Sequence, residues 1–258
     1  MPAGGTGLVL RGLRKEPATI GKWHLGWDLT YKEGKAKTVD NIDFTKRVAN
    51  GPTDRGFDYF YGLTSPSGPP HLYMVNDMAE KQPNTRFEES GGGLYKIKGG
   101  IGHSDWSSDG MQPHLADKML EYLDENKDSD KPFFLYMALT APHIPLFPSK
   151  EFKGKSKIGD YGDLVMMIDD IVGRVNRKLK EIGKYDNTIV MFAADNGCAG
   201  YINMDRINRK GHYPSYIYRG YKSHGWEGGH RIPFILSWGD RYGHVTDNSL
   251  VSLTDLYA

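Results

Sequence analysis

The chain has 258 residues, of which 33 are Lys or Arg, 32 are Asp or Glu and one is Cys, leaving a formal net charge of +1. Near-neutrality removes the electrostatic case for nucleic acid or an anionic membrane as partner, and a single cysteine excludes an internal disulfide framework. The length suits one large domain with a sizeable core, and no run approaches the roughly 20 apolar residues of a membrane span.

In chain order, residues 1–26 read as an irregular start that ends in a short strand around Thr19-Ile20. Met1–Gly7 carries no charged region followed by an apolar core, so no signal peptide is visible. Residues 27–110 are rich in Gly, Pro and polar residues, which predicts a loop-rich insertion of short elements, with a turn or small hairpin at 91–102. Leu115, Met119, Leu120 and Leu123 recur on one face of a predicted helix over 111–126. Phe133–Leu139 is almost wholly apolar, as expected of a buried parallel strand. Leu164, Ile168, Ile171, Val172, Val175, Leu179 and Ile182 follow helical spacing, predicting a helix over 160–182 capped by Asp160 and stopped at Gly183. Thr188–Ala193 and Phe234–Trp238 read as two further buried strands. Helices alternating with apolar strands predict an α/β fold, a largely parallel sheet with helices on both faces. In such sheets ligands gather at the carboxyl ends of the strands.

Four places carry candidate chemistry. Lys22 and His24 stand two apart in Gly21-Lys22-Trp23-His24-Leu25-Gly26. In extended chain they share a face, where a fixed positive charge beside a titratable base suits an anionic substrate that needs a proton moved. As an isolated pair they read as readily as a surface Lys and a packed His. His143 sits in Pro142-His143-Ile144-Pro145, where proline restricts the backbone and holds the ring at low entropic cost. Asp195-Asn196 follows an apolar strand, and a carboxylate beside an amide suits a hard cation, although Asp-Asn-Gly also favours a tight turn. Lys222 precedes Trp226-Glu227-Gly228-Gly229, whose glycines permit close backbone approach. Tyr201, Tyr213, Tyr216, Tyr218, Tyr221 and Trp226 form an aromatic cluster that either stacks on sugar rings or packs loops. Arg231 is expected to pair with a carboxylate. There is no Gly-rich phosphate loop, no His-Glu-x-x-His helix and no Gly-x-Ser-x-Gly elbow.

These segments, in this order, resemble the sulfatases, the sulfuric ester hydrolases of the alkaline-phosphatase-like superfamily. Gly21–Gly26 is similar to the family's second signature and Arg55–Gly62 to the segment after it. Phe133–Pro145 resembles its substrate-histidine loop, Ala194–Gly197 its late metal-binding motif, and Gly220–Pro233 its second active-site lysine segment, with Leu253–Tyr257 following.

The resemblance implies a sulfatase that cleaves an aryl, steroid or carbohydrate sulfate ester, with formylglycine as nucleophile and calcium as cofactor. Lys22 and Lys222 would bind the sulfate and Asp195 and Asn196 the metal. His143 would protonate the leaving oxygen, and His24 would serve the formylglycine hydroxyl. The partner would be a sulfated small molecule or glycan. The Asp-Asp pair and the Cys- or Ser-x-Pro-Ser-Arg run that the family carries upstream are absent here, and Cys198 stands in neither. The chain is therefore expected to be a fragment truncated at both ends, a partial catalytic domain over 1–258 that is inactive alone and binds metal weakly or not at all. Its parent is expected to be exported, to periplasm, extracellular space or lysosome. The competing readings are a phosphodiesterase or phosphonate monoester hydrolase of the same superfamily, and a non-catalytic pseudoenzyme that binds sulfated ligands.

Overall fold

A computed structural model describes residues 16–256 apart from Pro66. The irregular start expected before residue 16, and Tyr257 at the other end, lie outside the described residues. The chain divides into two compact units, Met1–Glu151 and Phe152–Ala258.

The first unit is built on a five-stranded sheet. Its strands are β1 (Glu16–Lys22), β2 (Tyr59–Leu63), β3 (Met74–Val75), β4 (Met78–Ala79) and, after the small antiparallel pair β5 (Thr85–Phe87) and β6 (Gly100–Gly102) and helix α1 (Met111–Glu125), β7 (Phe133–Ala138). The order is β4-β3-β2-β1-β7. β1 runs parallel to both neighbours, with Gly21 opposite Gly62 on one side and Ala138 on the other. β3 and β4 extend the sheet antiparallel.

Period-two alternation along β2 divides the packing between two faces. Tyr59 and Tyr61 face α1, where Tyr59 stacks on Tyr122 and Tyr61 tilts against His114. The helix seats fully buried Leu115, Met119 and Leu123, each contributing about 1.5–3 kcal/mol by burial. Phe60 points the other way, into a cluster with Trp23, Ile42, Phe44, Phe57 and Leu72. Loops thus cover that face of the sheet. β7 is parallel as expected, but it lies at the sheet edge, and Tyr136 is exposed.

A polar network is embedded in this unit. Tyr61 Oη donates to Glu80 Oε2 at 2.8 Å and lies 2.6 Å from His114 Nε2. The phenol has one hydrogen, so the His114 Nε2–H must donate to it. His71, also buried, bonds the Lys98 carbonyl through Nε2 at 2.7 Å. Burial pushes both histidines below their usual range, His71 against its carbonyl bond and His114 against Glu80. A depressed folded pKa means that the unfolded chain binds more protons just below pH 6.5. Their stabilising contribution is therefore complete above pH 6.5 and is lost as pH falls toward their folded values. The urea midpoint should fall between pH 7.5 and 5.5, a window above most carboxylate titration. An unchanged midpoint would count against this assignment.

In the second unit, α2 (Asp160–Glu181) buries Leu164, Ile168, Ile171, Val175 and Leu179 as the periodicity predicts, and Gly183 follows its end. Asp160 is not the cap: Gly159 takes that place, and Asp160 pairs with Lys153 in the first turn, where a carboxylate favours the helix dipole. Asp163, fully buried, accepts the Gly154 and Ser156 N–H groups at 2.8 and 2.5 Å and ties the preceding loop to the helix.

Beyond α2 come β8 (Ile189–Ala193), the short helices α3 (Met204–Asn208) and α4 (Glu227–His230), and β9 (Phe234–Trp238). β8 and β9 pair with each other, antiparallel, from Ile189 opposite Trp238 to Ala193 opposite Phe234. Both were expected as buried strands. Instead Met191 is 46% and Ile235 60% exposed, because a two-stranded ribbon has too little surface around it to bury both faces.

Candidate active site

In the first unit, Lys22 closes β1 and His143 lies in the loop after β7, so one stands at and the other beyond the carboxyl ends of adjacent parallel strands. His24 does not continue the alternation. Trp23 turns inward, buried, with its N–H on the Leu63 carbonyl and its indole N–H on the Gly26 carbonyl. His24 then takes a left-handed φ of 51° and is exposed. β1 ends at Lys22, and His24 follows in a left-handed conformation and not in the extended chain that would put the two on one face.

The His143 ring has a fixed tautomer. Its Nδ1 lies 2.6 Å from the Ile144 carbonyl, and a carbonyl only accepts, so Nδ1 carries hydrogen. Its backbone N–H donates to the Thr140 carbonyl at 3.0 Å. Nε2 is then the nitrogen that carries the lone pair in the neutral ring.

In the second unit, Asp195 and Asn196 follow β8 after Ala194. The Gly197 N–H donates to the Gly229 carbonyl at 2.9 Å, and the Lys222 N–H donates to the Cys198 carbonyl at 2.8 Å. Backbone bonds thus lock the Asp195–Cys198 turn against the Lys222 segment. Arg231 pairs with Glu227 as expected and also lies over the Tyr218 ring at 4.6 Å. Trp226 carries the Arg219 guanidinium at 4.0 Å. Cys198 donates to Tyr161 Oη at 3.5 Å, and burial pushes its thiol up, which keeps it protonated and unsuited to nucleophilic attack.

Among the described residues no cluster of three or more His, Cys, Asp or Glu side chains has metal-binding geometry. Asp195 and Asn196 alone fall short of the six to eight oxygens of a calcium shell. The described residues do not make a complete calcium site. No helix among the described residues is long and apolar enough to cross a membrane.

The comparisons with known proteins point one way. A family model described as Sulfatase matches residues 9–258. The chain is 29% identical to an N-acetylgalactosamine-6-O-sulfatase of Bacteroides thetaiotaomicron, over 93% of this chain and 52% of that protein. It is 30% identical to the mouse N-acetylgalactosamine-6-sulfatase, over 92% of this chain and 40% of that one. It therefore spans about half, or less, of the length of these relatives. A solved Bacteroides thetaiotaomicron sulfatase, from work on the metabolism of multiple glycosaminoglycans, superposes with a TM-score of 0.71 at 27% identity, covering 90% of this chain and 54% of its own. A Pseudoalteromonas sulfatase, PsFucS1, shares the fold with a TM-score of 0.60 at 24% identity, over 90% of this chain and 44% of its own.

Proposed function

Because this chain belongs to the sulfatase family, we propose that its residues bind a sulfate ester which the whole protein hydrolyses, the alcohol being aryl, steroid or carbohydrate. The observation that carries the proposal is the Lys222–Cys198 backbone bond, which ties the Lys222 segment to the turn that carries Asp195 and Asn196. It is supported by Lys22 and His143 standing at the ends of parallel neighbours in their own unit.

Each residue takes a role that its chemistry suits. Lys22 in one unit and Lys222 in the other are each a sulfate-binding ammonium, offering charge and three N–H donors to anionic oxygens. His143, with Nδ1–H held by the Ile144 carbonyl, presents Nε2 to give a proton to the departing alcohol. His24 is the second proton-transfer group. Asp195 and Asn196 supply oxygen ligands to a cation completed by residues beyond these. Calcium, when bound, would supply charge neutralisation at the sulfate. The parent is proposed to work outside the cytoplasm.

The 258 residues contain no Cys- or Ser-x-Pro-Ser-Arg run, so this chain supplies binding and proton transfer without a nucleophile. Calorimetric titration with nitrocatechol sulfate should show affinity weakened about tenfold by Lys22→Ala or Lys222→Ala, and unchanged by Lys37→Ala at an exposed loop position. Turnover by the isolated chain should equal that of the Lys22→Ala control. Affinity indifferent to both lysines would refute the sulfate reading, and turnover well above that control would refute the division of labour. Tighter binding of a phosphate or phosphonate monoester would favour the phosphoryl branch of the superfamily.

A further inference from the structure

Lys222 is tied to the Asp195–Cys198 turn by one backbone bond, from its N–H to the Cys198 carbonyl at 2.8 Å. A single hydrogen bond is a hinge: it bounds a distance and an angle but leaves rotation about the donor–acceptor line. A side chain that must meet an anionic oxygen needs its direction set as well. A second contact, one residue earlier, sets it.

The Tyr221 ring covers the place where Gly200 lacks a side chain. A Cβ built on Gly200 would lie 2.4 Å from Tyr221 Cε2 and 2.7 Å from Cδ2 and Cζ. The same ring packs against His224, with centroids 4.0 Å apart and planes tilted by 36°. His224 is fixed in turn. Its N–H donates to the Tyr221 carbonyl at 2.9 Å. A Cβ on Gly229 would stand 2.1 Å from the His224 carbonyl oxygen, so the 221–224 turn rests directly on bare backbone.

Residues 198–200 and 221–222 are therefore joined at two points, the Cys198–Lys222 bond and the Gly200–Tyr221 contact. Two points remove the rotation that one leaves. The atoms that meet Gly200 are ring carbons, so the contact needs the ring and not the hydroxyl. A ring that is 39% exposed adds little to a core, yet this one is braced from two segments, and the residue after it is the lysine.

We propose that Tyr221 is a positioning residue for Lys222: its ring, seated on Gly200 and braced by His224, sets the direction in which the Lys222 side chain leaves the backbone. The proposal rests on the reading of Lys222 as a sulfate ligand and adds the residue that aims it. Tyr221 acts through the lysine, not on the ligand.

Two readouts on the 258-residue chain test it. The first needs no ligand: hydrogen exchange at the Lys222 amide, followed by NMR. Tyr221→Ala takes the ring away, and Gly200→Ala unseats it with the ring intact. The Gly200 φ lies outside the left-handed region and the ring can swing out, so a methyl group is accommodated there. Both variants should speed Lys222 amide exchange about threefold to tenfold, with the amides of α2 at wild-type rates. The second readout is calorimetric affinity for nitrocatechol sulfate. Tyr221→Ala and Gly200→Ala should each weaken it about threefold to fivefold, less than the roughly tenfold of Lys222→Ala. The conservative Tyr221→Phe keeps the ring and should restore both exchange and affinity. Tyr221→Ala should add nothing in a Lys222→Ala background.

Wild-type exchange at Lys222 in Tyr221→Ala, a phenylalanine variant as weak as the alanine one, or losses of Tyr221→Ala and Lys222→Ala that add in full would overturn the positioning role. Loss of α2 protection together with that of Lys222 would make the ring a core residue and overturn it too. Faster exchange at Lys222 with affinity indifferent to Lys222→Ala would uphold the ring seat and overturn the sulfate reading instead.

Discussion

Gly21→Ala should destabilise the chain by roughly 3–5 kcal/mol and disorder the segment that carries Lys22. Gly21 has φ of +133°, where an L side chain is strained whatever the space. A Cβ built there lies 2.1 Å from the Ala138 carbonyl oxygen and 2.5 Å from its carbon. The obstacle is strand backbone, which has no rotamer to change. Nor can β1 slide aside, since Gly62 of β2 is equally close: its own Cβ would stand 1.7 Å from the Gly21 carbonyl oxygen. Three strands close backbone to backbone at this one level, and a methyl group forces β1 away from β2 or β7. Either separation breaks ladder bonds beside Ile20, which is wholly buried. Urea unfolding followed by far-ultraviolet circular dichroism measures the loss. A variant within about 0.5 kcal/mol of the wild type would show that the strands part without cost.

What could be read from the sequence was what local periodicity dictates. The helices at 111–125 and 160–181 bury the residues that their 3.6-residue spacing marks, because an amphipathic stripe has one way to meet a core. β7 was legible as an apolar run. β2 was not, because Tyr59–Leu63 is short and lies in a Gly- and Pro-rich stretch, and its strand character comes from pairing with β1, forty residues away or so in sequence. The exposure of β8 and β9 was hidden for the same reason: apolar composition states what a strand prefers, whereas the partner across the ladder decides how much of it is covered. At the candidate site, the strand-end positions of Lys22, His143 and Asp195 followed from the α/β pattern. The left-handed turn at His24 did not, since no spacing rule encodes it. The tyrosines of 213–221 were visible as a composition, but their arrangement around a cavity depends on α3 and on Tyr216 backbone geometry that no spacing rule encodes.

Gly197→Ala should cost sulfate-ester affinity up to about tenfold, the loss expected of Lys222→Ala, while α2 stays folded. A Cβ at Gly197 lies 1.9 Å from the Gly228 carbonyl oxygen, and the Gly197 N–H is bonded to the Gly229 carbonyl. The methyl group therefore pushes apart the two segments that those bonds hold together. The strain passes to Lys222, whose N–H is tied to the Cys198 carbonyl one residue along. A displacement near 1 Å takes the ammonium out of hydrogen-bond range of an anionic oxygen, so the loss approaches that of removing the lysine. The helix α2 makes its core from Leu164, Ile168, Ile171, Val175 and Leu179, none of which these glycines touch, so helical circular dichroism should persist. The decisive measurement is a double-mutant cycle on nitrocatechol sulfate affinity. If Gly197 acts by positioning Lys222, adding Lys222→Ala to the Gly197→Ala variant should weaken binding little further. Full additivity of the two losses would mean that the glycine contact and the lysine act independently, and that the backbone lock between the Asp195–Cys198 turn and the Lys222 segment does not set where the ammonium stands.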